Sequence, residues 1–361
     1  MVPTQTEGLV ARVDQGENIK GRSWIRRHRT REVVLRAIIG ALPNAARGLE
    51  KLDLSGCGAN DADVADLFSA LRASPSRTTL HCLVLAHNQI TDAGAVEVAN
   101  FIAQTPSVKK LRLGRNAITD AGVSALVAAM GTLVELNMDE TINFGGGCVC
   151  ILADALKRNT SLRVLELSAC GIDDAGAHAL AAALCENTTL QELNVGHNDF
   201  GDYGVRVIAK ASSRLRVLKV DTSSVYGQRG VSAIAELVVT SPRLETLHLY
   251  VDSNTLATIA EALPRSQRLA HLRMYIDGGS IEDVRTVAES VRRCFHIRSV
   301  SIEPTAVSQR AVDAAVDACG VYRKMVAFMS GVGAVTPLGR FLARDGDNAI
   351  MHRAVGVLVG V

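Results

Sequence analysis

From Leu80 the chain reads Leu80-His-Cys-Leu83-Val-Leu85-Ala-His-Asn88, and 28 residues later Val108-Lys-Lys-Leu111-Arg-Leu113-Gly-Arg-Asn116. Apolar residues hold positions 1, 4 and 6 with mostly polar ones between, the pattern of a short strand with one buried face. The pentapeptide Ile-Thr-Asp-Ala-Gly then follows in both places, over 90–94 and 118–122. Gly94 and Gly122 open segments whose apolar residues, Val98 with Ile102 and Leu126 with Met130, keep helical spacing. Asn88 and Asn116 end each strand with an amide able to satisfy turning backbone. One strand–helix unit of this kind cannot bury its own apolar face, so units must stack.

Ten strand segments begin at Leu49, Leu80, Val108, Leu133, Leu162, Leu190, Leu215, Leu244, Leu269 and Ile297, spaced by 25 to 31 residues. The ninth position keeps asparagine at Asn88, Asn116 and Asn198 and becomes Cys57, Thr141, Cys170, Ser223, Asp252, Asp277 and Thr305 elsewhere. Cysteine there offers a small, weakly hydrogen-bonding group to a buried slot. The helix-opening glycine recurs at Gly94, Gly122, Gly176, Gly204 and Gly230 and is missing from the last three units. With Gly176-Ala-His-Ala-Leu180-Ala-Ala-Ala-Leu184 as its clearest helix, the chain resembles the leucine-rich repeat proteins, and within them the ribonuclease-inhibitor-like class. That resemblance implies an α/β solenoid, a horseshoe with a parallel concave sheet and convex helices, normally used to bind other proteins.

Composition adds bounds. The chain has 361 residues, 48% hydrophobic but 4% aromatic, which suits a core of Leu, Val, Ile and Ala. A net charge of +2 predicts no overall attraction to polyanions, so any charge logic is local. Eight cysteines without an apolar leader read as reduced thiols in an intracellular, cytoplasmic protein, and no stretch reaches the length of a membrane span. The expected organisation is a basic arm and capping helix over 1–47, about ten repeats over 48–320, and an apolar C-terminal cap over 321–361. Residues 1–19 read as a patternless, mobile end. The stretch 20–36 carries Lys20, Arg22, Arg26, Arg27, Arg29, Arg31 and Arg36 against Glu32. It reads as a cap whose helical apolar side continues through Val34, Ile38 and Leu42, or as an arm for nucleic acid or another polyanion.

Catalytic constellations are missing from the sequence: there is no Gly-x-Ser-x-Gly elbow, phosphate loop or His-Glu-x-x-His helix. Cys148-x-Cys150 beside Gly145, Gly146 and Gly147 has no second ligand pair at zinc spacing and reads as a helix start. No catalytic, metal or cofactor residue is expected, and no small-molecule substrate. One enzyme-related reading stands beside this. GTPase-activating proteins of the same repeat class use a loop arginine and asparagine near the strand ends, and Arg115-Asn116 matches that pair. The acidic tail of those proteins has no counterpart here.

In the implied architecture the residues between the leucines line the concave face, with strands ~4.8 Å apart. Lys110 then faces Glu135, and Arg115 faces Glu140, so the centre satisfies itself. Further along, Lys219, His248, Tyr250, His271, Arg273 and Tyr275 bring cations and aromatics together with Asp221 as the nearby acid. Tyrosine and arginine combine contact area with directed hydrogen bonds, which marks this patch as the expected docking face for an acidic protein partner. The function expected is a non-enzymatic scaffold or adaptor. A place in a large intracellular, cytoskeletal or flagellar assembly fits such a chain.

Overall fold

The computed structural model describes residues 7–20, 31–141, 144–221, 226–304 and 312. Its parallel sheet runs in strict chain order through β1 (Ile19–Lys20), β2 (Lys51–Asp53), β3 (Cys82–Val84), β4 (Lys110–Arg112), β5 (Glu135–Asn137), β6 (Val164–Glu166), β7 (Glu192–Asn194), β8 (Val217–Lys219), β9 (Thr246–Asp252), β10 (His271–Asp277) and β11 (Ser299–Pro304). Helices α1 (Glu7–Asp14) and α2 (Arg31–Ala41) flank β1. One principal helix then follows each strand from β2 to β10. These are α3 (Asp61–Arg72), α4 (Asp92–Gln104), α5 (Asp120–Ala129), α6 (Gly146–Arg158), α7 (Asp174–Glu186), α8 (Asp202–Ala211), α9 (Gln228–Thr240), α10 (Ser253–Ala262) and α11 (Ile281–Arg292). The fold is an α/β leucine-rich repeat solenoid.

The leucine columns make the core. Leu83, Leu111, Leu136 and Leu165 are register partners on successive strands, and all are buried. On the helix side Phe68 stacks on Phe101 with ring centroids 4.5 Å apart.

Where β3 to β7 end, one residue turns the chain out of the sheet with φ between 53° and 59°: His87, Arg115, Glu140, Ala169 and His197 in turn. The next side chain fills the space so created. Asn116 donates to Leu85 O (3.0 Å) and Leu113 O (2.7 Å) and accepts from Ile90 N (3.1 Å), joining two units. Asn88 and Asn198 repeat this arrangement. Where asparagine is replaced, part of the job persists: Thr141 Oγ1 donates to Met138 O and Cys170 Sγ to the same oxygen at 3.2 Å. A polar partner for the turning backbone is therefore what these ninth-position side chains share.

A second row of side chains explains the glycines. The aspartate that opens one helix caps the next one. Asp92 accepts from Thr119 N (2.7 Å) and Gly122 N (3.0 Å), and Asp174 from Gly201 N (3.0 Å) and Gly204 N (2.9 Å). Asp61 likewise receives Thr91 N, Asp120 receives Cys148 Sγ, and Asp202 receives Gly230 N. A Cβ on Gly122 would lie 2.5 Å from Asp92 Oδ1, which is why glycine stands there. Helices preceded by one lacking that aspartate cap themselves. Asp173 serves α7 and Asp252 serves α10, while Ser280 with Asp283 forms a capping box on α11.

The N-terminal segment departs from expectation. Residues 7–20 form α1 and β1 instead of a patternless end, and β1 pairs with β2 through Ile19↔Leu52. Two side chains tie this segment down: Asp14 accepts from Ala46 N (2.9 Å) and Asn18 from Lys51 N (3.0 Å). Val34, Ile38 and Leu42 are buried against the first units. Residues 21–30, which hold most of the basic stretch, lie outside the described residues, as do Ser223, Thr305 and the apolar segment 321–361.

Candidate functional site

Parallel pairing sets the six candidate residues side by side. Lys219, His248, Arg273 and Ser301 form one cross-strand row from β8 to β11, and Tyr250, Tyr275 and Glu303 form the next. His271 stands at the lower end of β10 between Thr246 and Ser299. The platform is broad because β9 and β10 are seven residues long, where β2 to β8 are three. Their eighth positions are Val251 and Ile276, both buried and in strand conformation. A β-branched side chain is strongly disfavoured in the left-handed conformation used by His87 or Arg115, so the strand continues instead.

The electrostatics differ from what the sequence suggests. Asp221 is not the lone acid of the patch: Glu303, Asp277 and Glu166 also belong to it. Arg273 Nε donates to Glu303 Oε1 (2.9 Å), and its guanidinium lies 5.1 Å above the Tyr275 ring. Burial and the neighbouring Glu303 push the Tyr275 hydroxyl up to about 12. Tyr250 is half-buried; burial first, then the neighbouring Asp277 carboxylate, raise its pKa. Lys219 Nζ is 3.9 Å from Glu166.

The two histidines separate. His271 is exposed, with Nδ1 2.6 Å from Ser299 Oγ. Burial, and then Lys219 and Arg273, push His248 down to about 4, so it is neutral at physiological pH. It therefore supplies no charge for an acidic partner in the range where an ordinary histidine titrates. Asp221 moves the other way. Its side chain is 10% exposed, and burial raises its pKa despite His197 at 3.7 Å and the nearby Arg273 and Lys219. Sequence reasoning missed the roles of Glu303 and Asp277. The signal was available in the register, since Glu303 falls beside Tyr275 once β10 and β11 are aligned.

The central strands behave as expected and add one member. Lys110 Nζ lies 2.8 Å from Glu135 and Arg115 Nη2 2.6 Å from Glu140; Arg112 also reaches Glu135, at 2.6 Å. Burial opposes ionisation of Glu135, yet the two cations win and hold its pKa low. Asn116 is 1% exposed and bound within the ladder. Among the described residues, no group of three or more His, Cys, Asp or Glu is placed to hold a metal ion. No helix among them is long and apolar enough to cross a membrane.

The leucine-rich repeat family model matches residues 77–99, 105–127, 158–181 and 186–209. The ribonuclease inhibitor of Sus scrofa is 31% identical over 180 residues, which cover 48% of this chain and 39% of that protein. The chain is a leucine-rich repeat protein of the ribonuclease-inhibitor-like class. This leucine-rich repeat chain is also similar to NACHT, LRR and PYD domains-containing protein 5 of Bos taurus, at 29% identity over 61% of the chain and 20% of the relative. The Tonsoku-like protein of Mus musculus shares 30% identity over 53% of the chain and 15% of its own length. The chain thus spans between 15% and 39% of the length of these relatives. Among solved structures, the Rad7–Elc1 complex of yeast gives a TM-score of 0.47 at 14% identity, covering 76% of this chain and 75% of that one. The four matched stretches of the repeat family fall between β3 and α8, and the six candidate residues lie beyond them.

Proposed function

We propose that this chain is a non-enzymatic interaction scaffold that holds a protein partner on its concave face, with the contact centred on Tyr250 and Tyr275. One observation carries the reading. At the seventh position the units from β2 to β8 have Ser55, Ala86, Gly114, Asp139, Ser168, Gly196 and Asp221, whereas β9 and β10 place two half-exposed tyrosines there as register partners. Adjacent tyrosines on long, well-paired strands form a rigid platform whose side chains lose little entropy on contact. The repeat class supports a scaffold, and a place in an intracellular or cytoskeletal assembly accords with it. The alternative, regulation of a small GTPase through Arg115 and Asn116, has less support. Asn116 is committed to the ladder, and Arg115 is engaged with Glu140.

The test is a titration with a captured partner. Tyr250→Ala and Tyr275→Ala are expected each to weaken binding about thirtyfold, or about 2 kcal/mol. Asn137→Ala, on the self-satisfied central strands, is expected to change it little. A costly Asn137→Ala alongside two neutral tyrosine variants places the contact elsewhere.

A further inference from the structure

The concave face changes sign between β4 and β5. At the third, fifth and seventh positions β2 to β4 carry Lys51, Lys110 and Arg112 against Asp53. The same positions of β5 to β7 carry Glu135, Asp139, Glu166 and Glu192 and no cation. The basic end surrounds a recess. Register sets Cys82 between Lys51 and Lys110, and Val84 between Asp53 and Arg112. Cys82 is half-buried and Val84 buried, so β3 forms a low floor with Lys51 on one side and Lys110 and Arg112 on the other.

The cations around this floor outnumber the acids that bind them. Glu135 takes both Lys110, at 2.8 Å, and Arg112, at 2.6 Å, so one carboxylate serves two positive groups. It lies beneath them: its side chain is 7% exposed, against 53% for Lys110 and 47% for Arg112. Arg112 spends Nε and Nη2 on that carboxylate, and no described residue accepts from its Nη1. The Lys51 ammonium has no ion pair or hydrogen bond among the described residues. Asp53 accepts from Ser55 N (3.1 Å) and Ser55 Oγ (2.7 Å), and its register partner on β1 is Lys20. Burial raises the pKa of the Cys82 thiol, and the charges acting on it are Lys51, Arg112 and Lys110 against Glu135. A carboxylate arriving over β3 thus meets an unpaired ammonium and a guanidinium already held in place by a buried acid.

We infer that β2 to β4 form a second docking surface, where an acidic segment of a protein partner lays a carboxylate over Cys82 and Val84, between Lys51 and the pair Lys110 and Arg112. The inference goes beyond the reading above, since the tyrosine platform begins five strands further along. An acidic peptide fits better than nucleic acid. The positive surplus is confined to three side chains, and the carboxylates from β5 onward repel a long polyanion.

A labelled peptide alternating glutamate with alanine, titrated into the whole chain below each variant's melting midpoint, tests this. It is expected to bind, to bind more weakly as salt rises, and to lose about tenfold in affinity with Lys51→Ala or Arg112→Ala. Lys51→Glu is expected to abolish the binding, and Lys51→Arg, which keeps the charge, to retain most of it. Binding lost in Tyr250→Ala but kept in Lys51→Ala overturns the inference and leaves the tyrosine platform standing. Binding that ignores both Lys51→Ala and Arg112→Ala overturns it in favour of the basic stretch 20–36. No binding, or tighter Lys51-dependent binding of single-stranded RNA of equal charge, overturns it as well.

Discussion

In the units carrying β3 to β7 each strand spans three residues and the chain leaves through a left-handed residue; in β9 and β10 it stays in the sheet for seven. The early units then close the gap with a side chain, the part-buried Asn88, the buried Asn116 or Asn198, or Cys170 and Thr141. The late units close it with backbone, continuing the ladder through Val251↔Ile276 and Asp252↔Asp277. Buried peptide groups must be paired in either case, so one device substitutes for the other. A weakening sequence motif therefore does not imply a weaker unit. Here it accompanies a wider sheet, and that sheet carries the aromatic pair.

The comparison can be broken most directly at the eighth position. Ile276→Gly removes a buried β-branched side chain from a continuous strand and is expected to cost about 4 kcal/mol in urea unfolding. A loss under about 1 kcal/mol would mean that β10 does not depend on strand continuity there. The next effect is at the ladder. Asn116→Ala leaves two buried carbonyls and one N–H without their partner and is expected to cost about 2 kcal/mol. Asp252→Ala, which removes a helix cap and no ladder amide, is expected to cost about 1 kcal/mol. Equal losses would erase the distinction between the two regions. The smallest effect carries the opposite sign. Ala169 adopts φ 53°, so Ala169→Gly relieves left-handed strain and is expected to stabilise by about 0.5 kcal/mol. A lower unfolding midpoint for this variant would count against strain at the turn.

Most of the fold was legible because the leucine columns recur with helical segments between them, and parallel stacking allows little freedom once the unit is known. Less was legible at β1: a two-residue strand has no period to detect, and Ile19 gains its role only by pairing with Leu52. The long β9 and β10 were readable in principle from Val251 and Ile276, since their branching forbids the turn. The repeated pentapeptide displayed Asp92 and Gly122 but not their relation, because the bond joins residues 30 apart. For the candidate site, register brought the six residues together as expected. The sign of its charge was not legible, because it depends on Glu303 and Asp277 and on the neutrality of His248, which burial decides.

The caps handed from helix to helix give the array a direction and a syntax. Asp61 and Asp92 cap α4 and α5 in succession, Asp120 holds the Cys148 thiol in the first turn of α6, and Asp174 and Asp202 cap α8 and α9. Between and after these runs, α7, α10 and α11 bring their own caps. A unit from inside a run is thus an incomplete word: moved elsewhere, it presents a glycine with no carboxylate to meet it, or a carboxylate with no vacancy to fill. A unit that caps itself can follow any neighbour. Duplication, deletion or exchange of units is consequently cheapest at the boundaries before α7, before α10 and before α11. The second of these is where the short-stranded half ends and the aromatic platform begins.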